Sequence, residues 1–372
     1  MLKKSFFFGI LCLALWACSE DDSGGPASSG DSFDRSAMLV NWADNIIIPA
    51  YLNFGGTTQA LESAVASFTQ NPSEATLQEA RSAWQTAYIA FQQVSMFDIG
   101  PAETVFFRNR LNTYPANTTE IEDFIASGTY DLSLPSTMDA QGFPAMDYLL
   151  YGLGETDSEI VAFYSTNASA TNYTNYLVNL AQIANSLTAS VVANWNTGYR
   201  DTFVSNSGGS ASASVDKLAN DYVFYYEKAL RAGKIGIPAG VFSNLPLPGN
   251  VEAFYKKDFS RQLALTSLQA AQDFFNGKHF AGNQTGKSFK SYLDYLNTIK
   301  NGEDLALLIN AQFEDARAAL NLLDENFVAQ IEIDNSKMLN AFDELQRNVI
   351  LLKVDMLQAL DVNVDYIDAD GD

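Results

Sequence analysis

Cysteine and histidine are nearly missing from this chain: its 372 residues include two cysteines, Cys12 and Cys18, and one histidine, His279. A single histidine excludes an HExxH zinc site and any site built on two imidazoles. A Ser-His-Asp triad would have to run through His279, and no GxSxG turn exists to pair with it. His279 is therefore expected to be a loop residue. Positive charge is also scarce, with 22 Lys and Arg against 44 Asp and Glu and a formal net charge of −22. Such a chain repels phosphate backbones, which argues against a nucleic-acid partner, and it lacks a polybasic membrane footprint. Metal cations and basic partners remain electrostatically compatible, and solubility at a crowded surface is the simpler account of the acidity.

Long apolar runs are absent except at the N-terminus. Lys3 and Lys4 precede an apolar run from Phe6 to Trp16. At roughly eleven residues it fits a secretory signal and falls short of the ~20 that a spanning helix needs. The run ends in Leu15-Trp16-Ala17-Cys18, which resembles a lipobox. The expectation is a signal peptide over residues 1–17, cleaved so that Cys18 carries the lipid. An ordinary secretory signal with a chance cysteine is the alternative. Residues 18–31 are acidic and then Gly/Ser-rich, as a flexible tether would be. The acidic run resembles the surface-export signal of Bacteroidetes lipoproteins, and Ser19 favours the outer membrane. The protein is thus expected as an outer-membrane lipoprotein facing the periplasm or the cell surface, partnered with the membrane through its anchor. Several acyl chains, at ~0.8 kcal/mol per buried methylene, make such an anchor stable. Processing would leave a body with no disulfide, no cysteine-bound zinc and no thiol nucleophile. Losing Lys3 and Lys4 takes the charge from −22 to −24.

Beyond the tether the apolar spacing is helical. One stripe is Leu77, Ala80, Trp84, Ala87, Tyr88, Phe91 and Val94, with Thr76 and Glu79 as a candidate capping box. Others are Tyr176, Leu180, Ile183, Leu187 and Val191; Leu218, Tyr222, Tyr225 and Ala229; and the run from Leu305 to Leu323. The last stripe is Met338, Phe342, Leu345, Val349, Leu352, Met356 and Leu360, stepping by fours and threes like a bundle seam. Period-two alternation is confined to Val362–Tyr366. The fold is therefore expected to be all-α. Two polar breaks stand out, Ser165–Thr174 and Ser205–Ser212. The first is taken as the boundary, giving helical domains 32–168 and 169–372, and the second as a loop within one bundle.

Four segments in order resemble the imelysin family, exported bacterial proteins that include peptidases. They are Gly142-Phe143-Pro144-Ala145-Met146-Asp147, set against the family's GxHxxE; Phe97-Asp98-Ile99-Gly100-Pro101-Ala102-Glu103; residues 227–240 (EKALRAGKIGIPAG); and the end, Lys353-Val354-Asp355-Met356 with Tyr366–Asp372. The resemblance spans residues 36–372 and implies two bundle-like domains with the GxHxxE segment at their interface. It also implies an association with iron.

The departures are informative. Pro144 stands at the family's histidine and Asp147 at its glutamate. Proline suits a first helical turn but offers neither a metal ligand nor a proton carrier. Asp147 keeps a carboxylate on a shorter arm. If both segments line one cleft, Asp98, Glu103 and Asp147 form a candidate interface site with Gly142 and Pro144, able to hold a hard cation or do acid/base work. A salt-bridge network through Arg108 or Arg231 is the competing expectation. At the end, Asp368, Asp370 and Asp372 have the spacing that starts a calcium loop, but the chain stops before such a loop closes, so a solvated tail is the other reading. The leading expectation is a non-catalytic binding component of iron, haem or other nutrient uptake, with a metal cation or haem as ligand and an outer-membrane uptake receptor as partner. A carboxylate-based metallopeptidase and a structural or interaction lipoprotein are the rivals.

Overall fold

The computed structural model describes residues 32–366. The signal, Cys18, the tether, and Asp368, Asp370 and Asp372 lie outside those residues.

Each apolar stripe becomes the buried face of a helix. Residues 35–70 form a long rod, α1, which is α-helical over Arg35–Val40 and Ile48–Gln70 with a π-helical stretch Asn41–Ile47 between them. Next come α2 (Glu74–Gln92), α3 (142–152), α4 (Asp157–Ser165) and α5 (170–205), the last kinked at Gly198. Three shorter helices, Pro101–Thr104, Phe107–Asn112 and Thr118–Ser127, lie between α2 and α3, and α5 is followed by α6 (214–239), α7 (Ser260–Phe275), α8 (Phe289–Leu296), α9 (Leu305–Asn321), α10 (Phe327–Asp334) and α11 (336–359). A two-residue antiparallel pair, β1 (Ile299–Lys300) with β2 (Glu303–Asp304), links α8 to α9. The fold is all-α.

Local chemistry sets the helix ends. Ser73, not Thr76, caps α2. The Thr76 N–H donates to Ser73 Oγ at 3.2 Å, and the Ser73 N–H donates to Thr76 Oγ1 at 3.2 Å. The capping box thus sits three residues earlier than the sequence pattern placed it, because the Thr76 hydroxyl at the third helical position reaches back to the Ser73 N–H. The seam of α11 is buried at all seven positions from Met338 to Leu360. Each such large side chain stabilises by about 1.5–3 kcal/mol.

Packing falls into two groups. In the first, the later part of α1 lies against α2 and α5, with α3 and α4 also against α5. In the second, α6, α7, α9 and α11 pack on one another. The expected boundary near 168 does not match this division. Ser165–Thr174 merely turns α4 back onto α5, so α5 stays with the first group. The chain instead crosses between groups near Ser205–Ser212, the break expected to lie within one bundle. The start of α1 reaches the second group, where Trp42 meets Phe274 and Phe289 at ring distances of 5.1 and 4.8 Å. With α7 also touching α2, the two groups share a continuous apolar core.

Candidate functional site

Gly142 opens α3 with φ +75°, and a β-carbon there would lie 2.3 Å from the Leu111 carbonyl oxygen. Only glycine can let the two backbones approach this closely. Pro144 follows in the first turn, where no intrahelical acceptor awaits its missing N–H. Phe143, between them, stacks on Tyr88 at 4.5 Å, which anchors the segment in the core.

Asp147 is buried, with both carboxylate oxygens engaged. The Tyr255 N–H donates to Oδ2 at 2.8 Å and the Lys256 N–H to Oδ1 at 2.9 Å. The carboxylate therefore ties α3 to the loop that precedes α7. Burial pushes its pKa up to about 7, against the opposing pull of the two N–H groups and Lys256. With Pro144, Tyr114 and Tyr255 it lines a cavity of about 250 Å³. This donor set does not fit a metal ion. Pro144 offers no ligand, Asp147 is committed to backbone, and among the described residues no group of three or more His, Cys, Asp or Glu side chains is placed to hold one.

The other two predicted carboxylates lie elsewhere. Asp98 and Glu103 share a cavity of about 290 Å³ with Lys217 and Asp365, whereas Asp147 lines a different one. The three do not converge on one cavity. Asp98 instead joins Arg108 and Asp221. Arg108 reaches Asp221 at 2.8 Å and Asp98 at 3.4 Å, and the Asp98 N–H donates to Asp221 Oδ2 at 2.7 Å. Burial raises the pKa of Asp221 to about 6, with Arg108 opposing, and also raises that of Asp98. This is the salt-bridge network expected of Arg108. Arg231 takes no part in it and pairs with Glu227 at 3.6 Å. Gly100, in the same segment, has φ +52°, and a β-carbon there would lie 2.1 Å from the Tyr199 ring. His279 sits in a loop, its N–H bonded to the Gln284 carbonyl at 2.8 Å.

Sequence reasoning missed the most connected polar group at the junction, Glu252. It is buried and accepts from Asn112 Nδ2 at 2.8 Å, from the Tyr88 hydroxyl at 3.0 Å and from the buried Lys234 ammonium. Lys234 also donates to Gln92 Oε1 at 2.9 Å. Burial lowers the Lys234 pKa, and Glu252 opposes the shift. The pair joins α2, α6 and the loop before α7. One signal was available: Lys234 stands beside Ile235 in the glycine-rich GKIGIPAG run, an apolar setting for a charge.

A sequence profile of the imelysin family (peptidase M75) matches residues 47–352. Iron-regulated protein A of Synechococcus elongatus is 26% identical over 118 residues, a stretch that covers 32% of this chain and 32% of that protein. Two crystal structures share the fold. One is of a protein from Parabacteroides distasonis assigned as an iron-regulated protein A precursor, with TM-score 0.69 and 18% identity over 88% of this chain and 97% of that one. The other is an imelysin-like protein from Psychrobacter arcticum, with TM-score 0.69 and 17% identity over 89% and 97%.

Proposed function

This chain belongs to the imelysin family, and from that premise we propose that it is a membrane-anchored binding component of nutrient uptake, linked to iron, and not a peptidase. The observation that carries the non-catalytic reading is Asp147. At the position of the family's catalytic-type glutamate, both carboxylate oxygens accept backbone N–H groups, and the neighbouring histidine position is Pro144. Pro144 supplies neither a metal ligand nor a proton carrier, and the two backbone N–H groups on Asp147 support a role in holding the loop before α7. The link to iron is supported by the name of the Synechococcus relative, which the chain matches over a third of its length. The anchor is supported by the apolar run and by Cys18.

Two measurements test this. Cells expressing the protein are expected to incorporate radiolabelled palmitate into it, and Cys18→Ala is expected to abolish the label. Label retained in Cys18→Ala, or missing from the parent, removes the lipid anchor. The purified protein is expected to leave casein intact with and without added zinc, and to bind haem or ferric iron in calorimetry. Casein cleavage that a chelator suppresses and Asp147→Ala abolishes would return the protein to the peptidases. Loss of both haem and iron binding would remove iron as the cargo.

A further inference from the structure

The point where the segment from Cys18 joins the body is fixed by contacts at the end of α8. The Ser32 N–H donates to the Tyr295 hydroxyl at 3.1 Å. Phe33 stacks on Tyr292 at a ring distance of 4.1 Å and meets Tyr295 at 5.6 Å, and the Lys287 ammonium lies over the Phe33 ring at 4.7 Å. Thirteen residues, 19–31, separate Cys18 from Ser32. A Gly/Ser-rich chain of that length spans about 20 Å on average and about 50 Å at most. The helix α11 alone, over residues 336–359, is about 36 Å long. A tether shorter on average than the body keeps the end that carries it next to the bilayer.

The lobe beside that junction exposes large apolar side chains. Tyr295, in the last turn of α8, is 50% exposed; Ile299, at the start of β1, is 57% exposed; and Leu307, in the first turn of α9, is 64% exposed. They belong to one short assembly. Ile299 pairs with Asp304 across the hairpin, and Asp304 caps α9 by accepting the Leu307 N–H at 2.8 Å. The Leu305 N–H donates to the Thr298 carbonyl at 3.0 Å, which closes the start of α9 against the end of α8. Lys290 and Lys300 in this lobe have partners within the protein, Asp294 at 2.7 Å and Asp355. Contact with lipid leaves both pairs intact. Exposed apolar side chains scattered singly need no account. Three gathered where a lipid-bearing tether joins the body are placed as a membrane contact would be. A tyrosine with aliphatic neighbours suits the boundary between headgroups and acyl chains, where an apolar ring and a wet hydroxyl are both accommodated.

We propose that Tyr295, Ile299 and Leu307 rest in the headgroup and acyl boundary of the bilayer and orient the body on it. The inference rests on the lipid anchor at Cys18 and adds which face of the body meets the lipid. Processing leaves Cys18 as the sole cysteine, so residues 18–372 can be coupled through it to a maleimide headgroup in phosphatidylcholine vesicles. Ile299→Trp and Leu307→Trp are the reporters, and bromine in the upper acyl chains quenches a tryptophan that enters the lipid. Ile333→Trp is the distal control. It precedes the start of α11, whereas Asp355, the partner of Lys300, lies near its end, about 30 Å away along the helix. Trp42, Trp84 and Trp195 are buried and supply the parent's baseline. Each lobe reporter is expected to lose about half of its added emission in brominated vesicles, as a side chain ~5–10 Å deep in the interface would. Ile333→Trp is expected to lose none, and Leu307→Asp added to Ile299→Trp is expected to remove the quenching. Either reporter suffices if the other does not fold. The proposal fails if the folded lobe reporters are not quenched or if Ile333→Trp is quenched as strongly. It also fails if the lobe tryptophans stay shielded in a chain that sediments as a dimer, which would assign this face to a second copy. A missing palmitate label would instead overturn the anchor, and the chemical coupling keeps the two failures apart.

Discussion

Glu252→Ala is expected to destabilise the protein by about 3–5 kcal/mol, the range found when one member of a buried ion pair is removed. The substitution leaves the buried Lys234 ammonium without a counter-charge, held only by Gln92 Oε1. It also orphans the Asn112 Nδ2 donor, which now bonds to the carboxylate, while the Tyr88 hydroxyl keeps Asn112 Oδ1 as acceptor. The loss is the desolvation of groups left without a partner and not the net worth of the pair. The double variant Glu252→Leu with Lys234→Met should therefore recover much of the loss, since it removes both charges together. Urea unfolding of the parent, the single variant and the double variant decides this. An unchanged urea midpoint for Glu252→Ala would mean that the junction does not depend on the pair.

Stability is expected to fall as pH rises from 5 to 8, with Asp147 as the largest contributor. Its folded pKa is pushed up to about 7 by burial. The unfolded side chain titrates near the ordinary aspartate value of about 3.9. Between these values the folded protein holds a proton that the unfolded chain has released. The contribution is therefore fully present below pH ~4 and is lost as pH rises through about 7. At about 1.4 kcal/mol per pH unit the gap amounts to roughly 4 kcal/mol. Asp221, raised to about 6, and Asp98, also raised, act in the same direction. Asp147→Asn cannot titrate, so its urea midpoint should vary less between pH 5 and pH 8 than the parent's. A parent whose midpoint rises over that range, or an Asp147→Asn variant with the full slope, would show that the buried carboxylate stays ionised, held by the Tyr255 and Lys256 N–H groups.

The helical stripes were legible because burial repeats every three or four residues along a chain that packs one face inward. Every residue of the α2 and α11 stripes is buried. The reading slipped where the helix geometry changed. In α6 the stripe ran Leu218, Tyr222, Tyr225, Ala229, yet Leu230 is fully buried while Ala229 is only partly so. The π-helical stretch beginning at Tyr225 holds more residues per turn, which advances the buried position by one. Nothing in a 3.6-residue period announces that change. It also turns Glu227, Arg231 and Lys234 inward, so the charges that a regular helix would be free to expose became buried pairs.

The candidate site was legible as a list of residues and not as an arrangement. Gly142, Pro144 and Asp147 were identified from their pattern, and the steric demand at Gly142 is the kind a sequence can signal. That Asp147 would be occupied by the N–H groups of residues 255 and 256, more than a hundred positions away, is a fact of chain crossing. Likewise Asp98 and Glu103 went to one cavity and Asp147 to another, although all three are carboxylates in neighbouring motifs.

By itself the sequence determined the all-α class, the family, the loss of histidine chemistry at Pro144 and the candidate anchor at Cys18. Each of these rests on composition, on local order or on short-range periodicity. Only the tertiary structure decided which charges are buried, which partners they take and where the two helical groups divide. It placed the Ser205–Ser212 crossing and the Glu252–Lys234 pair. These depend on distant segments meeting in a low-dielectric interior, where the cost of an unpaired group is set by its neighbours in space and not by its neighbours in the chain.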